Sequence, residues 1–232
     1  MLYLNPTYFI FVLPALLLAF YAQMKVRAAY SRYTRKANLR GITGLQAAQT
    51  LLPATGLGHV SVEGIRGELT DHYDPRSKTL RLSQGVAHVP SVAALAIVAH
   101  EIGHAQQDAQ GYVPLKLRSG LVPAVQLSAW VGPILFMIGL VLNMLELAWL
   151  GVIAFAAGAV FALITLPVEF NASRRGLQLL RTYQLADGRE MQEVKSVLNA
   201  AALTYVAALA QTLGTLLYYI FLLTGFGGRR RR

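Results

Sequence analysis

Four long apolar runs punctuate the chain. Residues 1 to 24 carry no charged side chain, and Tyr3 to Tyr21 are nearly all apolar with tyrosines at both ends. Two further charge-free runs cover Ser119 to Leu145 and Leu147 to Val168, and a fourth covers Ser196 to Gly228. About 20 apolar residues in a helix cross a hydrocarbon core of roughly 30 Å, so each run predicts a transmembrane helix. The polar spot around Asn143 and Glu146 predicts a tight hairpin between the second and third spans. Pro123 and Pro133 are compatible with a span whose neighbours satisfy the freed carbonyls. Tyr218 and Tyr219, near the far end of the fourth run, are expected as interfacial anchors.

Between the first two runs the pattern changes, and residues 25 to 118 are long enough for a small folded unit. Thr43 is placed to cap a helix running to about Leu52, ended by Pro53, Gly56 and Gly58. Residues 58 to 83 alternate apolar and polar side chains, which predicts two or three short strands with Asp74-Pro75-Arg76-Ser77 as a hairpin turn. Asp71 and Asp74 are expected to bond backbone there. The segment Lys78 to Ser83 either presents an edge on which an extended peptide pairs or lies inside the sheet. Ser91 predicts the start of a helix over about 91-110, with a proline-free interior and Gly111 as its stop. The predicted organisation is a first span over 1-24, a cytoplasmic α+β segment over 25-118 and a transmembrane hairpin over 119-168. A cytoplasmic helix over 169-195, a fourth span over 196-228 and a basic tail over 229-232 complete it.

Composition narrows the class. Of 232 residues 55% are hydrophobic and 14% charged, with no cysteine, which excludes a disordered tail and a disulfide framework. The 21 Lys+Arg against 11 Asp+Glu leave a formal charge of +10. In so apolar a chain that excess reads as charge at a membrane surface, and no nucleic-acid partner is expected. Lys25, Arg27, Arg32, Arg35 and Lys36 follow the first run, whereas a cleaved signal peptide has its basic residues before the run. The positive-inside rule puts residues 25 to 40 and the segment with Arg174, Arg175, Arg181, Arg189 and Lys195 in the cytoplasm. That agrees with a multi-pass protein of the cell membrane with four spans. Arg229 to Arg232 would then lie outside, outvoted by the other two segments. Arg174 and Arg175 are expected to face lipid headgroups. The sequence implies no oligomeric state.

Within the helix begun by Ser91 stand His100, Glu101 and His104. Residues four apart share a helix face, so both imidazoles can reach one cation while Glu101 borders its open side. Zinc suits such nitrogen ligation in a tetrahedral site. With 5 His in the chain, the spacing H-E-x-x-H arises by chance about 0.003 times, which weighs against two histidines on a solvated helix face. A catalytic zinc takes three protein ligands and a water. His59, His72, His88 and several carboxylates are candidates for the third. Glu169 stands out by position, where the third run re-emerges into the basic compartment. An acidic residue just after Pro167 is also what a helix dipole favours in a first turn.

The segments LTDHYDPRSKTLRLS, IVAHEIGHAQQ and PVEFNASRRGL, in that order between the apolar runs, resemble the YugP-type membrane zinc metallopeptidases, or neutral zinc metallopeptidase family 2. The resemblance covers nearly the whole chain. More remotely the chain is similar to the HtpX and CAAX-prenyl protease group, which inserts a transmembrane hairpin between its two-histidine helix and a helix of the form E-F-x-A-D. The fold class is therefore a mainly α-helical integral membrane protein with four transmembrane helices and a small α+β core, and the resemblance implies that this core is zincin-like. It also implies His100, His104 and Glu169 as ligands of one catalytic Zn²⁺, Glu101 as the catalytic base, and a polypeptide substrate. The remote group's aspartate is replaced by Ser173, so its bond to a ligand histidine cannot be carried over, and Ser173 is at most a weaker substitute.

That likeness implies hydrolysis of membrane or membrane-proximal polypeptides, with Glu101 taking a proton from a zinc-activated water and passing it to the leaving amine. His72, Tyr73 and His88 are candidates for stabilising the oxyanion. A zinc hydrolase of a non-peptide amide and a noncatalytic membrane scaffold retaining a metal site are the alternatives. Transport is disfavoured, because the four spans contain almost no ionisable residue apart from Glu146 at a turn.

Overall fold

The computed structural model describes residues 6–229, with side chains described through residue 225. Arg230 to Arg232 and the side chain of Arg229 lie outside the described residues, and so does the expectation for the basic tail. Among the described residues seven helices and three strands follow in the order α1 (Pro6–Thr34), α2 (Gly44–Ala54), β1 (Ser61–Ile65), β2 (His72–Asp74), β3 (Thr79–Ser83), α3 (Gln84–Ala87), α4 (Val92–Ala109), α5 (Val113–Val141), α6 (Leu145–Thr182) and α7 (Gly188–Arg229). Four of them, α1, α5, α6 and α7, are long and apolar enough to cross a membrane. The chain is mostly helical, with one small sheet.

The chain divides into two compact units. One takes the described residues of Met1–Ala22, Leu117–Leu166 and Thr204–Arg232; the other takes Gln23–Lys116 and Pro167–Leu203. In the most apolar window of each long helix only 17% to 28% of residues are buried. Ile10, Trp130 and Val141 are at least 70% exposed, an arrangement favourable against lipid rather than water. The turn between α5 and α6 is short, with Asn143 at φ 56°, the left-handed conformation that asparagine tolerates better than most residues.

Tyr218 and Tyr219 do not sit as interfacial anchors. They are buried in the apolar unit with Phe136, Val152 and Leu223. Tyr219 stacks on Phe136 at 4.1 Å between ring centroids, and Tyr218 meets Tyr8 edge-on at 5.0 Å. Such pairs add to the packing of two large rings.

In the polar unit, local signals account for most elements. Thr43 and Gln46 form a reciprocal capping box at the start of α2, and Pro53 falls in its last turn. Asp74 Oδ1 accepts the N–H of Arg76, and its Oδ2 accepts from the Ser77 hydroxyl and Arg81. These bonds fix the turn from β2 into the antiparallel β3. Asp71 accepts both the backbone N–H and the hydroxyl of Ser83. The sheet order is β1-β3-β2, with β1 parallel to β3. The Lys78 to Ser83 segment therefore supplies the central strand, paired with β1 from Thr79 to Ser83 and with β2 from Thr79 to Arg81. The edge reading of that segment is overturned; β1 and β2 are the edges.

Candidate metal centre

The helix α4 is built to be rigid and buried. Ser91 caps it through a bond from Ala94 N–H. At its other end Gly111, at φ 66°, lets Tyr112 N–H reach Gln107 O and Gly111 N–H reach Asp108 O, the paired bonds of a Schellman stop. Its interior from Val92 to Ala99 is largely alanine, leucine and valine at under 2% exposure, inside a core shared with α2, α3 and the sheet. A helix held on so many sides presents its polar residues in fixed positions.

Two glycines bring α4 against α6. A β-carbon on Gly103 would lie 2.4 Å from the Ala172 carbonyl oxygen, and one on Gly176 would lie 2.9 Å from the Ala99 carbonyl. The helices therefore touch backbone to backbone. Glu169, one turn before Ser173 and only 2% exposed, is thereby set beside the two imidazoles.

Its Oε2 lies 3.2 Å from His100 Nε2 and 3.5 Å from His104 Nε2. One ligand atom from each of the three side chains falls within 4.8 Å of the others, and among the described residues this is the one such group of His, Asp and Glu. Bonds of ~2.1 Å in a tetrahedron separate neighbouring ligand atoms by about 3.4 Å, so the carboxylate-to-imidazole distances suit one zinc ion. Two nitrogens and a carboxylate oxygen are also a catalytic zinc's usual donors, with a position left for water or substrate. His59 and His88 are exposed and stand outside this group, as does His72. Burial pushes the His104 imidazole toward its neutral form, but the Glu169 bond and the charges of Glu101 and Glu169 outweigh it and raise its pKa. The neighbouring carboxylates thus favour positive charge on the imidazole.

Glu101, 9% exposed, is held by the sheet: its Oε2 accepts the N–H of Tyr73 at 2.9 Å. That N–H belongs to the middle residue of β2 and points away from β3. The Tyr73 hydroxyl donates to Asp108 Oδ2 at 2.7 Å, and Lys78 donates to the same oxygen at 2.6 Å. Burial and then the Asp108 bond hold the Tyr73 phenol well above its usual pKa, so it stays protonated. His72 Nδ1 is 2.8 Å from Thr70 O, and His88 closes α3.

Around the two imidazoles stand two partners, Ser173, which the sequence reading named, and Gln107, which it missed. His104 Nδ1 is 3.0 Å from Gln107 Oε1, and His100 Nδ1 is 3.1 Å from Ser173 Oγ. Arg175 does not reach outward to headgroups: Nε donates to Asn171 Oδ1 and a terminal nitrogen donates to Gln110 Oε1. Arg174 is exposed. The spacing of Gln107, three residues after His104 and so on the same helix face, is the signal that would have found it. Gly103 and Gly176 give no such signal, since a packing glycine and a flexible one read alike in sequence.

Two comparisons bear on this arrangement. Residues 8–224 match the family described as "Putative neutral zinc metallopeptidase". The chain is 43% identical over 215 residues to the "Putative membrane protease YugP" of Bacillus subtilis (strain 168), covering 92% of this chain and 96% of that protein. Among solved structures none matches the chain.

Proposed function

Since the chain belongs to the neutral zinc metallopeptidase family, we propose that it is an integral-membrane zinc endopeptidase that hydrolyses membrane or membrane-proximal polypeptides. The observation that carries the reading is the meeting of His100, His104 and Glu169 within 4.8 Å, with Glu101 on the same helix turn. These residues are the ligands and the base of a gluzincin-like site, and the α+β unit around them is a zincin-like core. The site works on the cytoplasmic side, supported by the basic residues at 25 to 40 and 174 to 195.

His100 and His104 offer Nε2 and Glu169 offers a carboxylate oxygen to the metal. Bound zinc supplies Lewis acidity to a substrate carbonyl and acidifies the water it holds. Glu101 does the proton work. Tyr73 N–H fixes its Oε2, so Oε1 takes the proton from the attacking water and returns it to the leaving amine.

The test is Glu101→Gln in the detergent-solubilised full chain, assayed on a generic unfolded protein. Zinc content stays at the wild-type level and cleavage falls by about 10²–10⁴, the usual contribution of a general base. Full activity in this variant removes the role of Glu101. Zinc bound by a wild type that cuts neither peptides nor simple amides favours a scaffold instead.

A further inference from the structure

We infer that Gln107 is a positioning residue that holds His104 in the tautomer able to bind metal, an inference that rests on the zinc-peptidase reading above. Gln107 is fully buried. An amide removed from water is costly unless its hydrogen bonds are remade, so its partners dictate which way it points. Its Nε2 is 2.8 Å from the Val168 carbonyl oxygen and 2.9 Å from Asn171 Oδ1. A backbone carbonyl can only accept, so the NH₂ group faces α6 and Oε1 faces His104.

Asn171 is pinned by the same logic from its other side. Arg175 Nε, which can only donate, lies 2.7 Å from Asn171 Oδ1, so that oxygen is an acceptor for Gln107 as well. The chain of bonds is thus held at both ends by groups that cannot exchange roles. Gln107 Oε1 can only accept from His104 Nδ1, 3.0 Å away, and the proton of neutral His104 must sit on Nδ1. The lone pair of Nε2 then points at the space bordered by Glu169. Ligand histidines commonly have their tautomer set in this way by an acceptor at the other ring nitrogen.

His100 has no such lock. Its Nδ1 faces the Ser173 hydroxyl at 3.1 Å, and a hydroxyl can donate or accept. The two imidazoles are therefore unequal: His104 is fixed by α6 through Gln107, while His100 can adjust. The competing account is that Gln107 only satisfies the Val168 carbonyl and ties α4 to α6.

Two substitutions in the full chain separate the accounts. Gln107→Met keeps the length and removes every bond, whereas Gln107→Glu keeps the acceptor for Nδ1–H and loses the donors to Val168 and Asn171. Zinc affinity is read by competition with a chelator, the His104 tautomer by imidazole nitrogen shifts in zinc-free protein, followed with rising pH until the shifts themselves show a neutral ring. The wild type shows the Nδ1–H form. Gln107→Met loses that preference and binds zinc about 10–100-fold more weakly, and Gln107→Glu recovers most of the affinity although it melts lower. Wild-type affinity and tautomer in Gln107→Met, an equal loss in both variants, or an Nε2–H tautomer in the wild type each overturn the inference. A wild type that holds no zinc sinks the peptidase reading instead, and its His104 tautomer still decides the role of Gln107.

Discussion

The helix α6 crosses α5 in the apolar unit and α4 in the polar unit by the same device, and the two crossings serve different ends. Against α5, a β-carbon on Gly151 would lie 2.4 Å from Phe136 N, and one on Gly139 would lie 2.3 Å from Ala148 N. Lipid chains are as apolar as the helices, so close packing is what holds such a pair together. Against α4, Gly103 and Gly176 permit an equally close approach, but the side chains a turn away are His100, His104, Gln107, Glu169, Asn171 and Ser173. The close crossing is a general packing solution. It becomes a site only where flanking polar groups are both buried and paired across it.

The largest effect expected from breaking one crossing belongs to Gly103→Val, whose side chain would drive into the Ala172 carbonyl at 2.4 Å. Overpacking of this kind destabilises by about 1–3 kcal/mol, and separating α4 from α6 by even 1 Å lowers activity about 10²-fold. Zinc content and cleavage, measured on the folded fraction, check it. The matched change in the other crossing, Gly151→Val, costs a similar 1–3 kcal/mol of stability in detergent but leaves the zinc affinity of folded protein within about twofold, since no ligand lies in that unit. If Gly151→Val empties the metal site, the two crossings are not separable and the comparison fails.

How much of this was legible in the sequence depends on how local each signal is. The caps at Thr43 and Ser91, the stop at Gly111 and the Asp74 turn are set by neighbours within a few residues, and each appears where the pattern predicts. The strand order was not legible, because β1 pairs with β3 across a connection that no alternation encodes. The inward burial of Tyr218 and Tyr219 was hidden for a different reason: in a charge-free run, no polar face marks which side is outside. The nearness of Glu169 to the two histidines was foreseen by following the chain through its hairpin. Gln107 and Arg175 each have one partner along their own helix, His104 and Asn171, which spacing could have shown, and others across it, Val168 and Gln110, which it could not.

A smaller effect separates the fold's scaffolding from its chemistry. Arg81 first, then the N–H of Arg76 and the Ser77 hydroxyl, hold the Asp74 carboxyl well below the usual carboxylate range. Its folded pKa is below the unfolded value of about 3.9, so its stabilisation is full above about pH 4 and fades as the pH falls through the folded value. Asp74→Asn removes about 1 kcal/mol at neutral pH, discounted for partial exposure. Melting curves of the variant are correspondingly flatter with acid than those of the wild type, and its zinc affinity is unchanged.

The central claim is that α6 delivers Glu169 to the histidine pair of α4 as the third metal ligand. Zinc titration of the purified full chain beside Glu169→Ala tests it most directly. The wild type binds one zinc per chain, and the variant, its melting temperature monitored alongside, binds at least about tenfold more weakly. Equal affinity in the two proteins contradicts the claim.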